Sequence, residues 1–400
     1  MPIVLFVHHR PQPSGAARSL ALLIGALGAE WDAHVLVPGG GAAEIFAEAG
    51  ATVHRAPVPA FTHTWDVHYH GLRWLVALRE LAAVPPHARA LSRLLHELKP
   101  DVVHLNDSVM IASAAIARHA KAPVVWHLRS SLAFGGNGSR SRWIARQVDR
   151  TASAVIAIDT DVAASFPIRT AVAVIPNPVL AEEGEPAQLD LPEGRLAVGF
   201  FGYLRRQKGW AEFLEALRLL ADRQVPVHGV VVGGGVRPPS AFRGLRGRSL
   251  EALGIPDEQG AFERRTRELR LEGVVTQRPF TRDIGAIYRA LDIVVFPNQG
   301  EGLGRPVIEA AAYGLPVVAS GSADGGGVLV PDVTGVLLAH GTPDELADAL
   351  GRLASDPALI ARLGSAALRH AARAAPMRVA QQVEAVWRDV VGRSGGRESG

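Results

Sequence analysis

At roughly 150 residues per domain, the 400-residue chain predicts two or three domains. With 48% hydrophobic and 20% charged residues it buries sizeable cores, which excludes disorder as its main state. Lysine plus arginine (42) exceed aspartate plus glutamate (39) only slightly and are spread along the chain, which argues against nucleic acid as a partner, and the lack of cysteine excludes disulfides, thiolate metal sites and cysteine nucleophiles.

The apolar run Ile3–Val7 is too short for a signal peptide, has no basic region before it, and reads as a first buried strand. Similar β-branched runs follow at 33–37, 102–105, 124–127 and 154–158. A second series lies at 196–201, 227–232, 274–277, 293–296, 316–319 and 335–338. Helical patterns separate them, and this alternation predicts an α/β chain with parallel sheets. The expected fold is two doubly wound Rossmann-like domains facing across a cleft, the ligand lying beyond the carboxyl ends of the strands. The boundaries read as a first domain over 1–180, a Glu-, Gly- and Pro-rich linker over 181–194, and a second domain over 195–375. A terminal helix near 377–391, crossing back to the first domain, and a flexible tail complete the chain to 400. No stretch approaches the roughly 18 uninterrupted apolar residues of a membrane span. A soluble, cytoplasmic protein is expected, with peripheral contact at the inner face of an anionic membrane left open.

The segment 292–316 reads as strand, glycine loop and helix, with Pro306 in the first helical turn and Gly314 at the end. Free amides at the helix start, with Gly302, Leu303 and Gly304 before it, make an anion site. Glu301 in the loop and Glu309 on the helix would repel an anion, so they suit sugar hydroxyls better; the plain alternative is that Glu309 complements the helix dipole and the glycines turn the chain. In the loop Gly202 to Gly209, Lys208 is one of only three lysines, which suggests selection for a compact point charge. Arg205 could add a bidentate grip on phosphate, although a solvated charged loop has the same composition.

Glu301 and Glu309, separated by seven residues in the context Gly-Glu-Gly-Leu-Gly-Arg-Pro-Val-Ile-Glu-Ala, resemble the signature of retaining glycosyltransferases of the GT-B fold, family GT4 (group 1 type). Asp101 to His104, Pro123 to Arg129, Val174 to Asn177, Gly202 to Gly209 and Val333 to Gly335 resemble further family blocks in family order. The resemblance implies transfer of a sugar from a nucleotide-diphosphate sugar, UDP- or GDP-linked, to a hydroxyl of a glycan, lipid-linked or small-molecule acceptor. Retention of anomeric configuration, no metal and no cofactor are part of what it implies. Carried over, Arg205 and Lys208 hold the diphosphate, Glu309 binds the ribose, and Glu301 faces the donor sugar near the amides of Gly302, Leu303 and Gly304. His127 matches a histidine beside the transferring sugar and Gly15 the glycine loop over the diphosphate. By itself His127 reads equally well as a packed strand-end histidine. Where relatives carry a further glutamate, this chain reads Ser322 to Val328, and Val236 to Gln259 is an enlarged Arg-, Gly- and Pro-rich segment that is a solvated loop or an anion site.

Asp159-Thr160-Asp161 spells a metal-binding Asp-x-Asp, but Asp161 is expected to cap a helix from Val162, and His68-Tyr69-His70 lacks a third ligand. On the acceptor side, Arg129, the aromatics of 61–74, and Arg140, Arg142 and Trp143 suit an anionic acceptor or a headgroup interface. Two other functions stay open from sequence: a nucleotide-sugar epimerase of similar architecture, and a non-catalytic glycan-binding homologue.

Overall fold

Apolar runs that are continuous rather than alternating belong to strands covered on both faces. In the computed structural model, which describes residues 1–61, 74–132, 138–235, 237–244, 247, 250, 255–281, 283–299, 304–320 and 327–395, these runs form two sheets whose paired strands are all parallel. The first holds β1 (Ile3–Val7), β2 (Asp32–Val37), β3 (Thr52–Arg55), β4 (Val102–Leu105), β5 (Val124–Leu128), β6 (Ala154–Ala157) and β7 (Val172–Val174), in the order β3-β2-β1-β4-β5-β6-β7. Its helices are α1 (Gly15–Gly25), α2 (Gly41–Glu48), α3 (Trp74–Leu98), α4 (Ile111–His119), α5 (Ser139–Thr151) and α6 (Thr160–Ser165). The second sheet holds β8 (Leu196–Phe201), β9 (Val227–Val232), β10 (Val275–Arg278), β11 (Ile293–Phe296), β12 (Val317–Ser320) and β13 (Gly335–Leu338), in the order β10-β9-β8-β11-β12-β13. With it go α7 (Trp210–Asp222), α8 (Glu258–Glu268), α9 (Ile284–Arg289), α10 (Arg305–Ala312), α11 (Pro343–Ser355) and α12 (Pro357–Ala371), and the chain ends in α13 (Pro376–Gly395).

Two compact units result, Met1–Val179 with Ala374–Gly400, and Leu180–Arg373. The edge strands β3 and β7 escape the apolar-run reading because their residues are half-buried or exposed, and only the central strands are sealed on both faces. In the first unit α13 packs Val379, Val383 and Trp387 against Val4, Phe6 and Val35, on the same sheet face as α1 and α2. The opposite face is covered by Leu91, Ala114, Ile144 and Val148 from α3, α4 and α5. Residues 159–161 differ from expectation in one respect: Asp159, not Asp161, caps α6, its carboxylate accepting from Val162 N at 2.7 Å. Among the described residues no helix is long and apolar enough to cross a membrane.

The return of α13 is anchored by Glu384, only 4% exposed, which accepts from Gly28 N at 2.8 Å and from Arg388 at 2.8 Å. Glu384→Ala leaves the Gly28 amide without this partner and should cost about 2 kcal/mol. Denaturant unfolding of the first unit checks this, and an unchanged midpoint would contradict the anchoring role.

Candidate functional site

In a doubly wound sheet, connections leave to opposite faces where the strand order reverses, and a crevice opens there beyond the carboxyl ends. The reversals lie between β1 and β4 in the first unit and between β8 and β11 in the second.

In the second unit, the chain leaves β8 through Gly202 and Arg205, passes a turn of 3₁₀ helix at Arg206–Lys208, and enters α7 after Gly209. Gly209 has φ 78°, and a Cβ there would collide with the carbonyl oxygen of Pro297, just after β11. The same approach lets Gln299 N donate to Gln207 O at 2.8 Å. Gly233 after β9, at φ 138°, packs likewise on the carbonyl of Gly202. The loops beyond three adjacent strands are thus closed on one another. Lys208 lies with Nζ 5.2 Å from the centroid of Phe296, on β11. Burial, and then the Arg205 guanidinium, lower its pKa from the usual 10.5. No carboxylate among the described residues pairs with it.

Glu309 sits on α10, which begins after Gly304. It is 8% exposed, and its Oε1 accepts from Arg305 Nε at 2.6 Å while Oε2 accepts from the Tyr288 hydroxyl at 2.9 Å. Tyr288 is stacked between Phe201 and Tyr313, with ring centroids 4.3 and 5.2 Å away. Burial, and then the Glu309 charge, raise its pKa, so it acts as a neutral donor. Beside the β8 loop lies a cavity of about 430 Å³ lined by Gly233, Gly234, Gln259, Gln277 and Phe280. At this edge Phe280 meets the exposed Tyr203 ring at 4.8 Å, and Gln277 donates to Gly233 O at 3.0 Å. Glu301, Gly302 and Leu303 lie outside the described residues, as do 322–326, Arg246, Arg248 and most of 61–74 including His68 and His70.

In the first unit Val7 pairs with Leu105 and Leu105 with Trp126, so the residues that follow, His8, Asn106 and His127, form one row across three strands. Arg129 lies two residues beyond His127 on the same face. Its guanidinium donates to the side-chain oxygens of Asn106 and Asn177, and approaches His127 Nδ1 at 3.4 Å. An arginine only donates, so the Asn106 oxygen faces it and the Asn106 amide nitrogen donates to His8 Nδ1 at 2.9 Å. His8 therefore carries its proton on Nε2, a buried atom with no partner among the described residues. His127 Nδ1 is also 3.1 Å from His104 Nε2, and its own Nε2 is likewise buried and unpartnered. Burial first, and then the Arg129 charge, hold His104 and His127 well below the ordinary imidazole pKa. Burial first, followed by His9 and Arg129, does the same for His8.

Of the other sequence candidates, Gly15 opens α1, where Ser14 caps by accepting from Ala17 N at 3.3 Å. Arg140, Arg142 and Trp143 lie on α5, which covers the sheet face opposite the one carrying Val125 and, by alternation, His127 and Arg129. Trp143 is 49% exposed. Among the described residues no group of three or more metal-ligating side chains is assembled, and the Asp159 carboxylate is used as a helix cap. Sequence reasoning gave no role to His8, His104, Asn106, Tyr288 or Arg305. For His8 and Asn106 the available signal was position, because polar residues directly after a parallel strand line the crevice.

Residues 195–356 match the family model described as glycosyl transferases group 1, and residues 14–178 that of the glycosyl transferase 4-like domain. The D-inositol 3-phosphate glycosyltransferase of Corynebacterium jeikeium is 34% identical over 197 residues, or 48% of this chain and 43% of that protein, so the chain matches under half of that relative's length. The lipopolysaccharide core biosynthesis mannosyltransferase LpcC of Rhizobium leguminosarum is 31% identical over 300 residues, covering 73% of this chain and 79% of that one. The solved structure of Anabaena HepE in complex with UDP and glucose superposes with a TM-score of 0.75 at 20% identity, covering 95% of this chain and 98% of that one, which shows a shared GT-B fold.

The neutral imidazoles make the first unit sensitive to acid. Unfolded histidine titrates near 6.5, whereas His8, His104 and His127 lie well below and His9 falls to about 4, mainly through burial. The unfolded chain takes up protons first as pH drops, so this stability is full above pH 6.5 and declines below it. Each fully buried imidazole withdraws up to about 1.4 kcal/mol per pH unit. Thermal unfolding between pH 7.5 and 5 should show the first unit's midpoint falling, and a flat profile would exclude neutral buried histidines.

Proposed function

The chain belongs to the group 1 glycosyltransferases, family GT4, and from that premise we propose that it transfers a glycosyl residue from a nucleoside-diphosphate sugar to a hydroxyl acceptor, with retention of configuration and without a metal. The observation that carries the reading is Lys208, held at the β8/β11 reversal over Phe296 and beside Arg205, with no carboxylate partner among the described residues. A cation whose charge is disfavoured by burial and by a second cation gains from an arriving dianion. Departure of a nucleoside diphosphate concentrates negative charge at such a point, and preorganised cations stabilise that charge in the transition state.

The other groups support distinct parts of the donor. Each Glu309 oxygen spends one lone pair on Arg305 or Tyr288 and keeps another for a ribose hydroxyl. The cavity beside Gln277 and Phe280 suits a planar base, with amides to hydrogen-bond its edge and an aromatic ring to stack on. UDP is the first nucleotide to test, since HepE is solved with it, and GDP the second. In the first unit the His127 Nε2–H is a neutral donor suited to a sugar hydroxyl. Exposed Trp143, with Arg142 and Arg146 on the outer side of α5, suits an anionic glycan or lipid-linked acceptor.

Calorimetry with UDP, GDP, ADP and dTDP should find one nucleotide binding equally well with and without chelator. Glu309→Ala should weaken it about tenfold, near the 1.4 kcal/mol of one lost hydrogen bond. Binding by none of the four, or binding abolished by chelator, would overturn the donor site as proposed.

With the donor identified, Lys208→Ala should lower turnover by roughly 100-fold through loss of leaving-group stabilisation. Turnover near the wild-type level would remove Lys208 from that role. Conversion of the donor sugar to its epimer with no acceptor added would instead assign an isomerase.

A further inference from the structure

His104 lies in the interior of the first sheet, on the face covered by α13, with no exposed surface. Its ring touches Phe6 at 5.1 Å and Trp387 at 5.6 Å between centroids. Trp387, itself fully buried on α13, places its indole Nε1 at 3.2 Å from His104 Nδ1. An indole nitrogen only donates, so His104 Nδ1 must accept and, in a neutral ring, the proton sits on Nε2. That Nε2–H then donates across 3.1 Å to His127 Nδ1. His127 Nδ1, also approached by the donor-only Arg129, is thereby held as an acceptor, and the His127 proton is forced onto Nε2. This Nε2 is the buried atom that finds no partner among the described residues.

We propose that Trp387 and His104 are positioning residues: through a directional N–H···N–H···N relay, the C-terminal helix α13 fixes His127 in the tautomer that presents an N–H donor at the carboxyl end of β5. Its ligand is an oxygen acceptor, a hydroxyl of the transferred sugar. That last step rests on the glycosyltransferase reading, whereas the relay does not. The reverse tautomer would offer a lone pair where a donor is needed and would set His127 Nδ1–H against both the His104 Nε2–H and the Arg129 guanidinium. The neighbouring strand uses the same device with other residues, Arg129 fixing Asn106 and Asn106 fixing His8.

The test is long-range ¹H–¹⁵N correlation on the full chain labelled with ¹⁵N-histidine, with His127→Gln and His104→Phe to assign the signals. In the wild type, at pH 7.5, His104 and His127 should both be protonated on Nε2 alone. A His127 proton on Nδ1 would overturn the relay, and this measurement needs no ligand. In Trp387→Phe the His104 ring loses the indole donor that fixes its Nδ1 as an acceptor, and an Nδ1-protonated population of His127 should appear; an unchanged His127 spectrum in the folded variant would also overturn it.

Once a donor sugar is known, Trp387→Phe should lower turnover about tenfold in the His127 enzyme. It should change turnover less than twofold in a His127→Gln background, where the glutamine oxygen faces Arg129 and His104 and its amide supplies the N–H without a relay. Equal losses in both backgrounds would make Trp387 a packing residue only. Absence of any turnover in the wild type would count against the glycosyltransferase reading while leaving the spectroscopic result to decide the relay.

Discussion

A parallel sheet covered on both faces confines polar chemistry to the ends of its strands. Along the central strands the backbone amides and carbonyls are spent in the ladder, and a side chain there is usually apolar or paired. The row Phe6, His104 and Val125 shows how strict this is: the one polar member is saturated by Trp387 on one side and His127 on the other. Two residues further on, the row of His8, Asn106 and His127 reaches the crevice, and here the buried Nε2 atoms of His8 and His127 find no partner among the described residues. Unsatisfied donors of this kind cost about 1–3 kcal/mol each. They persist where the surrounding structure over-determines them, and three donor-only or donor-fixed contacts hold these two rings.

Each unit has a strand-order reversal of the same layout, and the two differ in the electrostatics of the groups placed there. In the first, the positive charge of Arg129 is directed into the amide oxygens of Asn106 and Asn177, and its field helps keep the nearby imidazoles uncharged. What faces the crevice is neutral N–H, matched to hydroxyl oxygens. In the second, burial and then Arg205 both disfavour the Lys208 charge, and among the described residues no carboxylate relieves either. An ammonium in that condition discriminates for phosphate, whereas a hydroxyl would give it little. The division follows from which residues terminate the strands, since the backbone layout of the two sheets is the same at their reversals.

The sheets were largely legible in the sequence because central parallel strands write unbroken apolar runs, and the six strands of the second series differ from expectation by at most a residue at either end. Edge strands β3 and β7 were not, since half-exposed residues such as Thr52 and Arg55 carry no such mark. The cap on α6 was misplaced by two residues because Asp159 and Asp161 have equal capping propensity, and only the extended backbone at Asp159 decides between them. In the second unit the charged residues Lys208, Arg205 and Glu309 are singled out by a motif, while Tyr288, which donates to Glu309, is not. Its contact spans 21 residues and depends on a stack with Phe201 and Tyr313 that no local pattern encodes. For the same reason Trp387 reads in sequence as an ordinary apolar position of a helix; its indole nitrogen acquires a meaning only when α13 lies against β4.

These long-range contacts set the positions of functional groups largely through backbone closure, aromatic packing and neutral hydrogen bonds, with the Arg305–Glu309 ion pair as an exception. Lys208 is held by backbone closure at Gly209 and by the face of Phe296, Glu309 is steadied by an aromatic stack as well as by Arg305, and His127 is oriented through Trp387. A group fixed by an ion pair would have to give up that partner when a charged ligand arrives, and the exchange would consume part of the interaction. Among the described residues Lys208 and His127 Nε2 have no ionic partner to give up. On the proposed function, the electrostatic work of binding would be done on charges and dipoles already in place, the condition under which such groups act most strongly on a developing charge.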